Sequence, residues 1–283
     1  TGLSNPNIAN PVASPTTTTT YSVIGTDANG CESVEKTVLV TVKEKPSGSV
    51  AQSEIAICTG QSAQLQASGG VSYSWTGSNL TNNSIANPIA TPTSTTVYTV
   101  TITGSNGCTD TKQVIVTVNG LPTANAGNNT QICVGGSVAL SGSGAGIGGT
   151  YSWSPTIGLN NPNVQNPTAS PTSTTDYVLT VTNANGCTDT DDVRVTVVTP
   201  AALTISADNV VQTSVDLCKG QSSVLRALMS GAVSYSWTPI TNISNPIIQN
   251  PTITPTQNTT YSVTVTDGNG CERTESISVV VND

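Results

Sequence analysis

The sequence predicts an all-β protein built from tandem β-sandwich repeats, and three observations support this prediction. Thr, Val and Gly outweigh Ala, Leu, Glu and Lys in the chain of 283 residues, and this balance disfavours helices. The string Asn-Gly-Cys occurs four times, at steps of 77, 79 and 84 residues, and Tyr-Ser-Trp occurs three times. Apolar residues alternate strictly at matching repeat positions, which is the period of a strand with one buried face.

Superposing these strings divides the chain into repeats. The predicted units are 1–45, 46–120, 121–199 and 200–283. Residues 2–31 track residues 158–187 almost position for position. We therefore expect 1–45 to be the C-terminal half of a repeat, called the leading segment below, and the other three units to be full repeats.

Each full repeat is expected to end in a β-hairpin. Its first strand is the alternating run that begins Tyr98, Tyr177 or Tyr261, and Asp-x-Asn-Gly or a close variant marks a tight turn before a second alternating run. The Pro-rich stretch before the hairpin is expected at an edge or in an extended crossing, because proline lacks a ladder donor. The predicted core aromatic residues are Tyr73, Trp75, Tyr98, Tyr151, Trp153, Tyr177, Tyr235, Trp237 and Tyr261.

Short strands, no helical stretch and a Cys…Trp…Cys order in each repeat predict an immunoglobulin-like sandwich. The repeats then predict the pairing of the seven cysteines, with one disulfide inside each full repeat: Cys58–Cys108, Cys133–Cys187 and Cys218–Cys271. Cys31 is left over, with its partner expected in the missing half-repeat. Single cysteines about 50 residues apart, without histidine, do not fit a zinc site. Disulfides indicate an oxidising, extracellular setting.

Composition excludes several functions. The chain has no histidine, which removes the usual general base and the commonest metal ligand. A net charge of −8 with only eight Lys plus Arg disfavours nucleic acid as a partner. No apolar run approaches the roughly 20 residues that span a bilayer. We expect neither an enzyme nor a cofactor.

The acidic residues Asp189, Asp191 and Asp192 are the one candidate metal set, because calcium takes carboxylate oxygens. The cluster does not recur in the other repeats, which favours a solvated strand start. Asp27 and Asp267 at the hairpins have Gly104 and Asn183 as counterparts, which favours turn chemistry over a metal. Two insertions, 141–149 and 207–216, are interpreted as surface loops, with ligand binding as the alternative.

The combined motif resembles a known family of repeats. It comprises Ile-Cys-x-Gly-(Gln/Gly)-Ser, Tyr-Ser-Trp-(Ser/Thr)-Pro, paired Asn-Pro, Pro-Thr before a Tyr, and Asn-Gly-Cys before an alternating Val strand. This pattern is similar to the Ig-like or PKD-like repeats of giant Bacteroidetes cell-surface adhesins of the gliding-motility type. The resemblance implies type IX secretion and display as a filament on the outer membrane. The repeat 46–120 departs from it with Thr76-Gly77 where Ser154-Pro155 and Thr238-Pro239 stand elsewhere.

The expected function is a structural stalk segment of a large secreted adhesin or filament that extends a distal tip. Its partners are then neighbouring repeats, with a surface or polysaccharide ligand bound elsewhere in the protein. The alternative is a carbohydrate- or surface-binding Ig-like module, accessory in one version to a secreted hydrolase. Sugar platforms need exposed aromatic residues, so the burial of the three tryptophans distinguishes the two hypotheses.

Overall fold

The computed structural model describes residues 2–283, and within that range every regular element is a β-strand. The chain forms two compact units, residues 1–121 and 122–283. No helix in the described range is long and apolar enough to cross a membrane. The all-β prediction is therefore confirmed.

The unit 1–121 contains the leading segment and the first full repeat. The leading segment has two strands, β1 (Thr19–Val23) and β2 (Lys36–Val40). The strands of the first full repeat are β3 (Ser49–Val50), β4 (Glu54–Cys58), β5 (Ala63–Gln64), β6 (Ala67–Ser68), β7 (Ser72–Thr76), β8 (Ile89–Ala90), β9 (Thr96–Thr103) and β10 (Thr109–Asn119).

The unit 122–283 contains the other two full repeats. The strands of the second full repeat are β11 (Thr130–Cys133), β12 (Val138–Ala139), β13 (Thr150–Ser154), β14 (Thr168–Ala169), β15 (Thr175–Thr182) and β16 (Thr188–Val198). The strands of the third are β17 (Thr204–Ala207), β18 (Val210–Val211), β19 (Ser214–Cys218), β20 (Ser223–Leu228), β21 (Ala232–Thr238), β22 (Thr252–Ile253), β23 (Thr259–Asp267) and β24 (Glu272–Asn282).

Every full repeat has the same four-stranded sheet. The strand orders are β4-β10-β9-β7, β11-β16-β15-β13 and β19-β24-β23-β21. The last two strands form the predicted antiparallel hairpin, and the Tyr-Ser-Trp strand pairs with its first strand. The strand that ends in the first cysteine runs parallel to the last strand, and this pairing was not predicted.

Short strands form the second layer of each sandwich. They pair as β3-β6 and β5-β8, as β12-β14, and as β18-β17-β20-β22. The Pro-rich stretches contribute only the two-residue strands β8, β14 and β22 to this layer, because proline cannot donate to a ladder. Two facing sheets with Greek-key-like order and no helix make each full repeat an immunoglobulin-like sandwich.

Three separate cores fill the three sandwiches. Trp75, Trp153 and Trp237 are at most 2% exposed, and the first tyrosine of each hairpin is fully buried beside them. The tyrosine of each Tyr-Ser-Trp is half-buried and packs against the same core. Each tryptophan indole donates from Nε1 to a backbone carbonyl in the Pro-rich crossing, at 3.0–3.1 Å. Burial of these rings supplies much of the hydrophobic stabilisation of a small domain.

Within residues 2–45, the described part of the leading segment, the same hairpin has no opposing layer. Val23 and Val38 are 64% and 59% exposed, whereas the matching Leu179 and Val193 of the second full repeat are 0% and 1% exposed. Tyr21, Val23, Val38 and Val40 line a groove with Leu3 and Ile8. This apolar face is the one that full repeats cover with their first half.

Candidate functional site

The two cysteines of a repeat lie at opposite ends of its last strand. The parallel pairing places Cys133 opposite Val198, at the end of β16, whereas Cys187 directly precedes the first residue of that strand. An 11-residue strand spans about 35 Å at roughly 3.3 Å per residue. A disulfide needs Cα atoms no more than about 7 Å apart, so these two cysteines cannot pair within one sandwich.

The same geometry recurs in the other full repeats. Cys58 lies opposite Asn119 at the end of β10, and Cys218 lies opposite Asn282 at the end of β24. The second cysteine of each repeat, Cys108 or Cys271, directly precedes its last strand. Each repeat therefore presents one cysteine at each end.

The observed disulfide joins successive repeats. Cys133 of the second full repeat bonds to Cys271 of the third, with an S–S distance of 2.04 Å and a Cα–Cα distance of 5.5 Å. Cys58 and Cys187 are also disulfide-bonded, whereas Cys31, Cys108 and Cys218 are free thiols.

These bonds correct the pairing predicted from the sequence. Cys133–Cys187 and Cys218–Cys271 are wrong because Cys133 and Cys271 bond to each other. Cys58–Cys108 is wrong because Cys108 is a free thiol. Cys31 is also a free thiol, as is Cys218. The physical reason is the parallel strand, which separates the two cysteines of each repeat by the length of the sandwich.

A tight turn presents the second cysteine. Oδ1 of Asp267 accepts the backbone N–H groups of Asn269 and Cys271 at 2.8 and 2.9 Å. Asp27 does the same for Asn29 and Cys31, both at 2.9 Å. The glycine before the cysteine has φ near +80°, which only glycine adopts without strain. The turn chemistry that the sequence favoured for these aspartates is the role that the contacts give them.

In the first full repeat the turn contacts the preceding repeat. Asn106 donates from Nδ2 to the carbonyl of Glu44 at 2.8 Å, and Lys43 donates from Nζ to the carbonyl of Asn106 at 3.1 Å. The thiol of Cys108 lies 3.9 Å from the carbonyl of Lys43. The hairpin turn of one repeat thus packs on the chain that leaves the repeat before it. The sequence did not indicate a role for Lys43, Glu44 and Asn106, because their contacts occur at a single junction between repeats.

The calcium candidates are hydrogen-bonded to the backbone. Asp189 and Asp191 each accept, through Oδ2, a backbone N–H at 2.8 Å, from Ala124 and Ala126 respectively. Asp192 points to the opposite, exposed face of β16. Within residues 2–283 no group of three acidic, cysteine or histidine side chains is arranged to hold a metal. The carboxylates instead attach the start of the repeat to its last strand.

The counterpart of Asp189 in the first full repeat is Asp110. Its Oδ2 lies 3.1 Å from Nζ of Lys112. The hydrogen bond from Lys112 holds the pKa of the Asp110 carboxyl below its ordinary range, and the N–H of Thr111 adds to the effect. Asp110 thus forms an ion pair, whereas Asp189 in the next repeat accepts the backbone N–H of Ala124.

The two insertions pack against their own sandwiches. In 141–149, Ala145 is buried in the core and Ser143 exchanges backbone hydrogen bonds with Asn125. In 207–216, the carboxylate of Asp208 accepts from Ser223 Oγ at 2.9 Å and from the N–H of Val224 at 3.1 Å. These contacts give both insertions a packing role.

Comparison with known proteins finds no matching family model and no matching curated protein. Solved structures that match the chain include several proteins with tandem immunoglobulin domains. The chain is 12% identical to the eight N-terminal Ig domains of Down syndrome cell adhesion molecule, over 94% of this chain and 40% of that chain, with a TM-score of 0.38. It is 11% identical to Sidekick-1 immunoglobulin domains 1–4, over 96% and 92% of the two chains, with a TM-score of 0.28.

A third similar structure is the insect immune protein hemolin, at 10% identity over 83% of this chain and 76% of that chain, with a TM-score of 0.30. The chain spans less than half the length of the eight-domain structure of Down syndrome cell adhesion molecule. The Ig-like assignment therefore rests on the strand order and cores of the protein itself.

Proposed function

We propose that the chain is a structural stalk segment of a large secreted cell-surface adhesin or filament, holding a distal binding tip away from the cell. The observation that carries the proposal is the Cys133–Cys271 disulfide, which couples two successive repeats covalently. We assign the chain no catalytic activity and no cofactor. The resemblance of its motifs to giant Bacteroidetes adhesins adds type IX export, gliding motility and outer-membrane association to the proposal.

Strand direction suits each sandwich to carry tension. In the second full repeat the chain enters through β11 and leaves through β16, and these two strands are parallel neighbours. Pulling the two ends apart loads their hydrogen bonds along the strands, so that all of them resist together. The first and third full repeats have the same parallel pairing. This arrangement lets a full repeat bear load wherever no disulfide carries the tension past its sandwich.

The disulfide also shortens the path that carries the load. Tension that enters the second full repeat reaches Cys133 and passes through the disulfide to Cys271. The sequence separation of these residues is 138. The intervening chain is shielded from tension, so a stalk containing such bonds lengthens little even when a sandwich opens.

Single-molecule stretching tests this mechanism. With handles attached at residues 122 and 283 of the full chain, we expect the 138 residues between the disulfide cysteines to stay unextended until a reductant is added. Reduction should then release about 46–50 nm of chain, at 3.3–3.6 Å per residue. A Cys133→Ser/Cys271→Ser variant is the matched control and should release that length without reductant. Full extension of the unreduced wild type at the same low forces as this variant would contradict the stalk mechanism.

The carbohydrate-binding alternative lacks its main support. A flat sugar platform requires exposed aromatic rings, and Trp75, Trp153 and Trp237 are at most 2% exposed. Their indole N–H groups are used within the sandwiches. We therefore place any polysaccharide or surface ligand elsewhere in the parent protein.

A further inference from the structure

The second full repeat attaches its first residues to β16 in two different ways. Residues 124–129 are attached through side chains, in contacts that each join residues 65 positions apart. Residues 130–133 form the backbone ladder of β11, and this ladder has the same offset, since Thr130 lies opposite Val195. The whole stretch 124–133, called the entry segment below, therefore runs parallel to β16 in a single register.

Three side chains, called the side-chain ladder below, make the contacts of residues 124–129. Each contact is a hydrogen bond of 2.8 Å, and the three are Asp189 Oδ2 with the N–H of Ala124, Asp191 Oδ2 with the N–H of Ala126, and Asn129 Oδ1 with the N–H of Arg194. Both aspartates are half-buried. A carboxylate that accepts a backbone N–H makes a stronger hydrogen bond than a neutral acceptor does, so these contacts hold the segment firmly.

The other two full repeats hold the corresponding residues by strand pairing in the second layer. Strand β3 pairs with β6 in the first full repeat, and β17 pairs with β20 over four residue pairs in the third. Among the described residues, the second full repeat has at this place only the isolated bridge between Asn125 and Ser143. The side-chain ladder therefore takes the place of a strand pairing.

The two aspartates of the side-chain ladder are specific to the second full repeat. The residues that the hairpin register places at their positions are Asp110 and Lys112 in the first full repeat and Arg273 and Glu275 in the third. Asp110 is ion-paired with Lys112. The pair of carboxylates thus occurs in the repeat whose entry segment has the least backbone pairing.

We propose that the side-chain ladder positions Cys133 for its disulfide with Cys271. Cys133 is the last residue of the entry segment and of β11, so the register of that segment along β16 fixes where its sulfur lies. Cys271 is 1% exposed, and a disulfide forms only when the two Cα atoms come within about 7 Å. Without the ladder, residues 124–129 detach and Cys133 reaches Cys271 less often. The inference rests on contacts within the second full repeat and does not depend on the stalk function.

Amide hydrogen exchange of the full chain, followed by NMR, tests the attachment. The test variant is Asp189→Ala/Asp191→Ala. In this variant the amides of Ala124 and Ala126 should exchange at least tenfold faster than in the wild type, because their acceptors are gone. Asp189→Asn/Asp191→Asn keeps an acceptor oxygen at each position and should restore most of the protection. Asp192→Ala, on the exposed face of the same strand, is the matched control and should change neither amide.

Oxidative refolding tests the consequence for the disulfide. The reduced full chain is refolded with oxidised glutathione: one cysteine thiolate opens that disulfide and releases one glutathione, and the partner thiolate then displaces the second. Two protein thiols are oxidised, and one glutathione disulfide is reduced to two thiols. Disulfide mapping over time should show the Cys133–Cys271 bond forming at least threefold more slowly in Asp189→Ala/Asp191→Ala than in the wild type. The asparagine variant and Asp192→Ala should form it at the wild-type rate.

Protected amides in β15 show that the sandwich itself has folded. If the double alanine variant does not fold, Asn129→Ala removes one exposed contact of the ladder and gives the same two readouts, with exchange followed at the amide of Arg194.

Unchanged exchange at the ladder amides would overturn the attachment. Faster exchange with an unchanged rate of Cys133–Cys271 formation would overturn the positioning of the cysteine, and so would a slow rate that asparagine does not rescue. Each of these results leaves the stalk proposal standing, because that proposal depends on the bond in the wild type.

Discussion

At the residue scale, the buried tyrosine of each hairpin connects the core to the Pro-rich crossing. Tyr98 donates its hydroxyl to the carbonyl of Ser78, and Tyr177 donates to that of Ile157, both at 2.8 Å. Tyr261 makes the equivalent but longer contact with Thr241 at 3.3 Å. The ring of each tyrosine fills the core, and its hydroxyl bonds to the Pro-rich crossing. This contact holds in place a segment that has few ladder hydrogen bonds of its own.

Removing one of these hydroxyls tests its contribution. Tyr177→Phe leaves the ring in place but removes the hydrogen bond from the hydroxyl to the carbonyl of Ile157. We expect the free energy of unfolding to fall by about 0.5–1.5 kcal/mol. Urea denaturation of the full chain measures the loss. Tyr151→Phe, at a half-buried tyrosine of the same repeat, is the control and should change stability by less than about 0.5 kcal/mol. Equal effects of the two changes would show that the hydroxyl contact is unimportant.

Gly77 is the residue that distinguishes the first full repeat from the other two. Its φ is +133°, and a Cβ added there would overlap the ring of the buried Tyr98. Gly77→Ala should therefore cost about 1–3 kcal/mol through overpacking and backbone strain, measured by thermal unfolding. Gly268→Ala, where an added Cβ meets no atom within 4 Å, is the matched control. An unchanged melting temperature for Gly77→Ala would show that the crossing yields around the new side chain.

At the element scale, one strand decides the covalent connectivity of the molecule. The parallel pairing of β11 with β16 carries Cys133 to the far end of the sandwich from Cys187, and the third full repeat places Cys218 and Cys271 in the same relation. A cysteine at each end of a sandwich can be bonded only by another repeat or another molecule. The Cys133–Cys271 disulfide therefore couples two repeats and leaves the interior of each of their sandwiches uncrosslinked.

Tryptic mapping without reduction checks this connectivity. Cleavage after lysine and arginine places Cys133 in peptide 113–194, Cys271 in 227–273 and Cys218 in 195–219. We expect 113–194, which also contains the disulfide-bonded Cys187, to be linked through Cys133 to 227–273, with 195–219 released as a free thiol peptide that takes up iodoacetamide. A link between 195–219 and 227–273 would instead restore the pairing within one repeat.

At the scale of the whole molecule, three cores share one chemistry and respond to pH in the same way. Burial raises the pKa of Tyr98, Tyr177 and Tyr261 above the ordinary value of 10.0, and hydrogen bonds from Thr96 and Thr175 partly offset the rise at the first two. The folded chain holds these protons more tightly than the unfolded chain does. The stabilisation is therefore complete below about pH 10 and is lost as the pH rises through and above that value.

Urea unfolding between pH 6 and 12, with the free thiols alkylated, measures this dependence. Since the chain has no histidine, we expect the free energy of unfolding to be nearly constant from pH 6 to 9 and to fall above pH 10. The Tyr177→Phe variant should show a shallower alkaline fall because one of the three phenols is gone. A steep change near pH 6.5, or an identical alkaline slope in the variant, would contradict the assignment to these tyrosines.

The sequence alone was sufficient to predict the repeat, the all-β class and the hairpin of each sandwich. These features depend on local rules: a two-residue apolar period at Tyr177, Leu179 and Val181, and a turn that needs Gly186 at positive φ. It also indicated the aromatic positions, since Tyr-Ser-Trp places Tyr151 and Trp153 on one face of a strand. Each of these inferences needs only the local geometry of residues that are close in the sequence.

Which cysteines bond to each other depends on how the strands and repeats pack in three dimensions. Pairing by repeat assumes that residues of one domain are close, but the short strand before Cys133 has no sequence signal for its direction relative to β16. Parallel pairing places the two cysteines of a repeat at opposite ends of the sandwich, about 35 Å apart at the rise of a strand. The packing of successive repeats brings Cys133 next to Cys271. That separation depends on strand direction and on the order of the domains, and a local sequence pattern predicts neither.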